Sequence, residues 1–186
     1  MKDKGLLIVF TGASGVGKGT IMKKLLELDK TCRLSVSATT RQPRPGEIDG
    51  REYFFLTKEE FEKEISNDGF FEYAKYCDNY YGTPKSAVEK MLNDGFNVFL
   101  EIEVQGGLQV MEKYPDCISI FVLPPSMEEL EKRLRGRATE TEEVINKRLN
   151  AALTEIKFAE KYSYSVVNDD VDTAVKEILD IISKNR

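Results

Sequence analysis

A chain of 186 residues with 41% hydrophobic and 32% charged side chains can bury one substantial core but is too short for two ordinary domains. It carries 27 basic and 32 acidic side chains, a net charge of −5, and no histidine. That balance disfavours a general nucleic-acid coat and removes His-assisted nucleophiles and His-ligated metal centres, so any chemistry falls to Lys, Arg, carboxylates, hydroxyls and backbone.

Cys32, Cys77 and Cys117 form no C-x-x-C pair, so neither a zinc site nor a disulfide framework is expected. Apolar runs are far shorter than the ~20 residues of a membrane span. The opening Met1-Lys2-Asp3-Lys4-Gly5 runs straight into an apolar segment rather than a signal peptide, so the expected location is the cytoplasm, with no membrane partner.

In chain order, Leu6–Thr11 is the first predicted strand. Gly12-Ala13-Ser14-Gly15-Val16-Gly17-Lys18-Gly19-Thr20 follows it and opens a predicted helix over Lys18–Leu28. Glycines in that context turn successive N–H groups inward, and the helix adds its positive end, which makes a phosphate cradle with Lys18 able to reach a transferred phosphate. The strict pattern places Ser or Thr directly after the lysine. Here Gly19 stands there, and Thr20 is the candidate hydroxyl for Mg²⁺. A phosphate loop alone indicates a nucleotide, not a reaction.

Leu34–Ser37 is the next strand, and residues 38–82 then break the alternation of strands and helices. They hold a basic loop with Arg41 and Arg44 stiffened by Pro43 and Pro45, a strand over Arg51–Leu56, a helix over Lys58–Ser66 and a strand over Phe70–Cys77. This reads as a small inserted α+β lobe. The two arginines suit a phosphate clamp or an ordinary solvated loop about equally well.

Thr83-Pro84 is the expected cap of a helix over Lys85–Asn93. Next come a strand over Asn97–Ile102, a helix over Gln105–Lys113 and a strand over Ile118–Leu123. Ser126 and Glu129 have capping-box spacing before a helix over Met127–Leu134, and Thr139 and Glu142 have it before a helix over Glu142–Glu160. Between these helices, residues 135–141 form a second break, too polar to pack. Tyr164–Val167 is the last strand, Asn168-Asp169 an expected turn or cap, and Val171–Lys184 the last helix. Strands separated by helices predict an α/β fold, a mostly parallel five-stranded sheet flanked by helices.

Taken together, the loop Gly12–Thr20, Ser35–Glu47 with Gly50 and Tyr53, Phe71-Glu72, Asn79–Thr83, Glu101–Gly106, Arg133–Leu149 and Asn168-Asp169 closely resemble the guanylate kinase family. The resemblance implies a P-loop NTPase core at 1–37, 83–134 and 142–186, a GMP-binding lobe at 38–82 and a lid at 135–141. It implies transfer of the γ-phosphoryl group of ATP to GMP, and to dGMP as well, with Mg²⁺ and no nucleic-acid partner. Position by position, it assigns Arg41, Arg44, Tyr53 and Tyr81 to the GMP phosphate. Ser37, Glu72 and Thr83 go to the guanine edge, with Glu101 and Glu103 beside them. Arg133, Arg137 and Arg148 become lid arginines that act in catalysis with Lys18 and Arg41, and Asn168 lies near adenine. Thr83 stands where the family often has Ser, and Glu101 and Glu103 where it typically has aspartates.

Two other uses of such a frame are a protein-interaction scaffold and a kinase for a sugar phosphate. Retention of Lys18 and the arginines argues against the first. The set Ser37, Glu72 and Thr83 argues against the second, because a sugar phosphate gives it nothing to read.

Overall fold

A computed structural model describes residues 4–136 and 141–186. In chain order it begins with β1 (Leu7–Gly12), α1 (Lys18–Leu28), β2 (Cys32–Leu34), β3 (Ala38–Thr39) and β4 (Phe54–Phe55). It continues with α2 (Lys58–Ser66), β5 (Phe70–Tyr76), β6 (Asn79–Pro84), α3 (Lys85–Asn93), β7 (Asn97–Glu101) and α4 (Val104–Lys113). The remainder is β8 (Ile118–Leu123), α5 (Met127–Gly136), α6 (Glu142–Glu155), a 3₁₀ turn (Ile156–Lys161), β9 (Tyr164–Val167) and α7 (Val171–Lys184).

Five strands make a parallel sheet in the order β2-β7-β1-β8-β9. Each strand but the last is followed by a crossover that returns the chain to the edge where strands begin, so the strands' carboxyl ends gather at the opposite edge. The register sets what meets: Phe10 lies opposite Glu101, and Gly12 lies opposite Val122. Successive residues of β1 point to opposite faces and both faces are covered. Ile8 and Phe10 pack with Leu25, Val122 and Ile178 under α1 and α7, while Val9 packs with Val88, Leu100 and Val110 under α3 and α4. Among the described residues no helix is long and apolar enough to cross a membrane.

A second sheet has the order β4-β3-β6-β5. Its own small core is Ala38, Phe61 and Phe70, with the Phe61 ring stacked on Phe70 at 4.3 Å and on Tyr80 at 5.2 Å. Thr57 and Glu60 cap α2 reciprocally, at 3.2 and 2.8 Å. β5 belongs to both units. Phe70 faces the small core, whereas Phe71 enters the main one against Tyr114, at 4.8 Å between ring centroids.

Local expectations differ from the structure in a few places, each for a readable reason. β2 starts at buried Cys32 and ends at Leu34, with only the Ser35 N–H still donating to Phe99 beyond it. β3 and β6 lie unforeseen in segments that read as loop. β5, the hairpin partner of β6, turns through Cys77-Asp78, both at positive φ (46° and 64°), without the Asn-Gly that usually announces such a turn. Thr83 does not cap α3. Pro84 is the flanking residue, and the Thr83 hydroxyl is used elsewhere.

Ser126 does cap α5, accepting from the Glu129 N–H at 3.1 Å, but the Glu129 side chain turns to Arg133 instead of closing the box. Arg135 and Gly136 are the last residues of α5. Residues 137–140, including Arg137 and the Thr139 end of the second expected box, lie outside the described residues, and Thr141 caps α6. α6 ends at Glu155 and tightens into the 3₁₀ turn. Asp170, not Asn168 or Asp169, caps α7 by accepting from the Thr173 N–H at 2.9 Å.

Candidate active site

The loop between β1 and α1 turns on glycine. Gly15 and Gly17 have φ of 83° and 96°, and Gly17 is the left-handed residue from which α1 starts. A cleft of about 340 Å³ opens over the loop, lined by Ser14, Gly15, Lys18, Glu103, Arg148 and Glu155, among others. Lys18 Nζ donates to the Gly12 carbonyl at 2.7 Å, folding the side chain back over its own loop. Burial pulls the Lys18 pKa below the usual lysine value, against the opposing pull of Glu103, Glu101 and Glu155. Its charge is thus held in a partly dry place, where an anion would feel it strongly.

Buried Asn168, at the end of β9, braces the loop from below. Its side-chain amide donates to the Val16 carbonyl at 2.7 Å, and its backbone N–H donates to Leu123 at 2.8 Å. A Cβ at position 17 would sit 2.7 Å from that amide nitrogen, so the loop and Asn168 fit only with glycine there. Arg133 is tied to the same corner. It donates to the carbonyls of Asn168 (2.7 Å) and Asp169 (3.2 Å) and to Glu129 (3.2 Å), so its guanidinium serves the end of β9.

Arg148 reaches the loop apex from α6, with Nε donating to Ser14 Oγ at 3.2 Å. Glu155, one heptad further along the same helix, accepts from the Ser14 backbone N–H at 2.8 Å. A carboxylate therefore sits on one of the donors of an anion-binding loop. Sequence reading missed Glu155. The available signal was its spacing of seven from Arg148, two turns on one helix face.

Two carboxylates close the cleft beside Lys18. Half-buried Glu101 ends β7, with its pKa raised by burial against the pull of Lys18, and exposed Glu103 precedes α4. Thr20 is exposed in the first turn of α1. No group of three or more His, Cys, Asp or Glu that could hold a metal occurs among the described residues. A few carboxylates, a hydroxyl and open space suit a Mg²⁺ that keeps its waters and takes substrate phosphate oxygens. The donor set fits that ion.

On the far side of the cleft, Glu72 of β5 is only 7% exposed. The Thr83 hydroxyl of β6 donates to its Oε1 at 2.6 Å, and a Cβ added at Gly106 of α4 would lie 2.8 Å from its other oxygen. Burial raises the Glu72 pKa, and the Thr83 contacts lower it in part. Half-buried Ser37 precedes β3, and its carbonyl accepts from Phe54.

Arg41, Tyr53 and Tyr81 converge at the rim. The Arg41 guanidinium lies 5.5 Å from the Tyr53 ring centroid, and the Tyr53 and Tyr81 rings meet edge to face at 6.2 Å. Arg41 is gripped by both oxygens of Glu47 at 2.9 and 3.0 Å, a fork that raises its pKa, and Glu47 also accepts from the Arg44 N–H at 2.7 Å. The Arg44 side chain itself is exposed. Glu47 was another unassigned residue, although its place in the same basic loop is a visible clue.

A family model described as guanylate kinase matches residues 4–185. The guanylate kinase of Caldanaerobacter subterraneus subsp. tengcongensis is 56% identical over 182 residues, covering 98% of this chain and 88% of that one. The guanylate kinase of Lactococcus lactis subsp. lactis is 52% identical over 182 residues, covering 98% and 89%. Among solved structures, the guanylate kinase of Anaplasma phagocytophilum superposes with a TM-score of 0.74 at 35% identity, covering 98% of this chain and 87% of that chain. A shikimate kinase of Bacteroides thetaiotaomicron shares the fold alone, with a TM-score of 0.51 at 14% identity, covering 96% and 98%.

Proposed function

The chain belongs to the guanylate kinase family and is an ATP:GMP phosphotransferase, and from that premise we propose how its residues divide the reaction. The loop 12–20 and Lys18 hold the donor phosphates, and Asn168 fixes the loop beneath them. The sheet built of β3, β4, β5 and β6 is the acceptor lobe, the five-stranded unit is the core, and the polar stretch after α5 is the lid. The observation that carries the acceptor assignment is Glu72, a carboxylate kept in a nearly dry pocket with one oxygen already bonded to Thr83.

Guanine presents N1–H and an exocyclic amine side by side, and a carboxylate accepts both. Adenine turns an acceptor toward the same place and would leave Glu72 buried and unsatisfied. A pocket built to hydrogen-bond its substrate discriminates by roughly 10⁴ to 10⁵ against an analogue that cannot reply. Ser37 and Thr83 complete the guanine edge. dGMP carries the same guanine edge and phosphate, so it is accepted too.

Arg41, Arg44, Tyr53 and Tyr81 take the GMP phosphate, with Glu47 presenting the Arg41 fork in plane until the phosphate shares it. Arg148 acts from α6 over the loop apex. Arg137 acts from the lid, and Arg133 holds the Asn168 corner.

Phosphoryl transfer asks the protein for in-line placement, neutralised charge and exclusion of water. No general base is required, because the attacking phosphate oxygen of GMP is already ionised, and a chain without histidine suffices. Thr20, Glu101 and Glu103 would hold Mg²⁺ directly or through water, and the ion supplies charge to the phosphates when bound. A soluble cytoplasmic existence, free of nucleic acid, fits the acidic balance of the chain.

The test is ADP release from ATP with Mg²⁺ and one nucleoside monophosphate at a time. GMP and dGMP should support it, and AMP, CMP and UMP should not. Equal rates with AMP would remove Glu72 from the guanine edge.

A further inference from the structure

Two adjacent glycines, Gly106 and Gly107, stand buried in the first turns of α4, where glycine is among the poorest helix formers. What a side chain would meet differs sharply between them. A Cβ at position 107 would lie 2.5 Å from Tyr162 Oη, 3.0 Å from Thr11 Oγ1 and 3.3 Å from Val9 Cγ1, all in the interior between α4 and β1. The three nearest atoms that a Cβ at position 106 would meet all belong to Glu72: Oε2 at 2.8 Å, Cδ at 3.2 Å and Cγ at 3.3 Å. All three distances are well inside the ~3.5 Å at which such atoms pack.

The collision at 106 falls on the free end of a long side chain, so the fold can relieve it cheaply by letting Glu72 swing. Its carboxylate cannot swing without leaving Thr83, which bonds the opposite oxygen at 2.6 Å. Gly106 and Thr83 therefore form two walls of one slot.

We infer that Gly106 is a specificity-determining positioning residue, whose missing side chain leaves the Glu72 carboxylate the only place from which it faces an incoming guanine. The inference rests on the reading of Glu72 given above and extends it to a residue that touches no substrate. An alanine at 106 suits the helix better than glycine but displaces the carboxylate, so stability and GMP recognition should move in opposite directions.

Steady-state KM and kcat for GMP, KM for ATP and thermal melting on G106A, G107A, E72A and E72A/G106A test this. G106A should raise the KM for GMP roughly ten- to a hundredfold, the span of hydrogen bonds to a charged group. It should leave the KM for ATP in place and the melting temperature no lower than that of the parent chain. E72A/G106A should be no worse than E72A, because no carboxylate remains to displace. G107A should lower the melting temperature.

A wild-type KM for GMP in G106A, beside a raised one in E72A, overturns the inference and spares the reading of Glu72. An additive double variant, or a G106A that melts early or fails to fold, also overturns it. A wild-type KM in E72A removes the reading and the inference together.

Discussion

The loop at 12–20 is a run of consecutive backbone groups turned on glycines, whereas the pocket at Glu72 is assembled from residues of β5, β6 and α4. The first is a short local structure seated on the centre of the parallel sheet and braced by Asn168 from the end of the edge strand β9. The second hangs from a small sheet that shares only the start of β5 with the main core. On the proposed assignment, a local backbone cradle accepts any nucleoside triphosphate tail, while a pocket with one buried charge accepts a base with the right donors. Binding strength and selectivity are thereby separated in space.

The largest blow to the donor side is Lys18→Met. It keeps the stem but removes the charge next to the transferred phosphate, and kcat should fall about 10² to 10³-fold, the range for losing one preorganised electrostatic partner. The loss should be the same for GMP and dGMP, which rapid-quench measurement of ADP formation would show. A loss that depended on the acceptor would mean that Lys18 serves both sides.

On the acceptor side the counterpart is Glu72→Gln. Its amide keeps the shape and one acceptor but aims a donor at the guanine, so KM for GMP should rise about ten- to a hundredfold while ATP binding holds. Titration of both nucleotides by calorimetry separates the two. Equal weakening of ATP would erase the division between the regions.

The same division explains how far the sequence could be read. The loop was legible because its glycines, lysine and flanking strand are contiguous, and backbone chemistry needs no distant partner. The helices Lys18–Leu28, Lys85–Asn93 and Val171–Lys184 and the strands Ile118–Leu123 and Tyr164–Val167 were equally plain, since each carries its own periodicity. The pocket was not legible from local pattern. Glu72 and Thr83 are eleven residues apart on paired strands, and β6 hides behind a Cys-Asp turn. Thr83 before Pro84 looks like a helix cap, yet its hydroxyl serves Glu72. Only the resemblance of scattered segments to one family brought these residues together. Glu155 escaped even that, because a carboxylate on a helix reads as a solvated surface charge until the loop it touches is in view.

Glu155 offers a smaller way to sharpen the comparison. Its carboxylate accepts from the Ser14 N–H, so an anion that uses that donor competes with it. Glu155→Gln should lower the KM for ATP roughly two- to fivefold, the size that a partly exposed charge contributes. The KM for GMP should stay where it is. An ATP affinity that falls instead would make the contact a brace that holds α6 on the loop rather than a competitor for it.

The least effect is on stability, and its sign distinguishes the pocket from ordinary surface carboxylates. Burial holds the Glu72 pKa above the usual carboxylate value. Well below that usual value Glu72 is protonated in both the folded and unfolded chain and costs nothing. As pH rises, the unfolded chain gives up the proton first, so between the usual value and the raised one the folded chain binds more protons, and its stability falls. Above the raised value the loss stays constant.

Asp170, which caps α7, has the opposite sense. Hydrogen bonds from Thr173 lower its pKa, so it contributes stability that appears as pH rises through its lowered value and remains above the usual one. Chemical denaturation across the acid range should therefore find Glu72→Gln more stable than the parent chain at neutral pH, with the difference vanishing toward low pH. Asp170→Asn should show its deficit at neutral pH instead. A Glu72→Gln chain that is less stable at neutral pH would mean that the Thr83 bond outweighs burial, and that the pocket keeps its charge for the fold as well as for guanine.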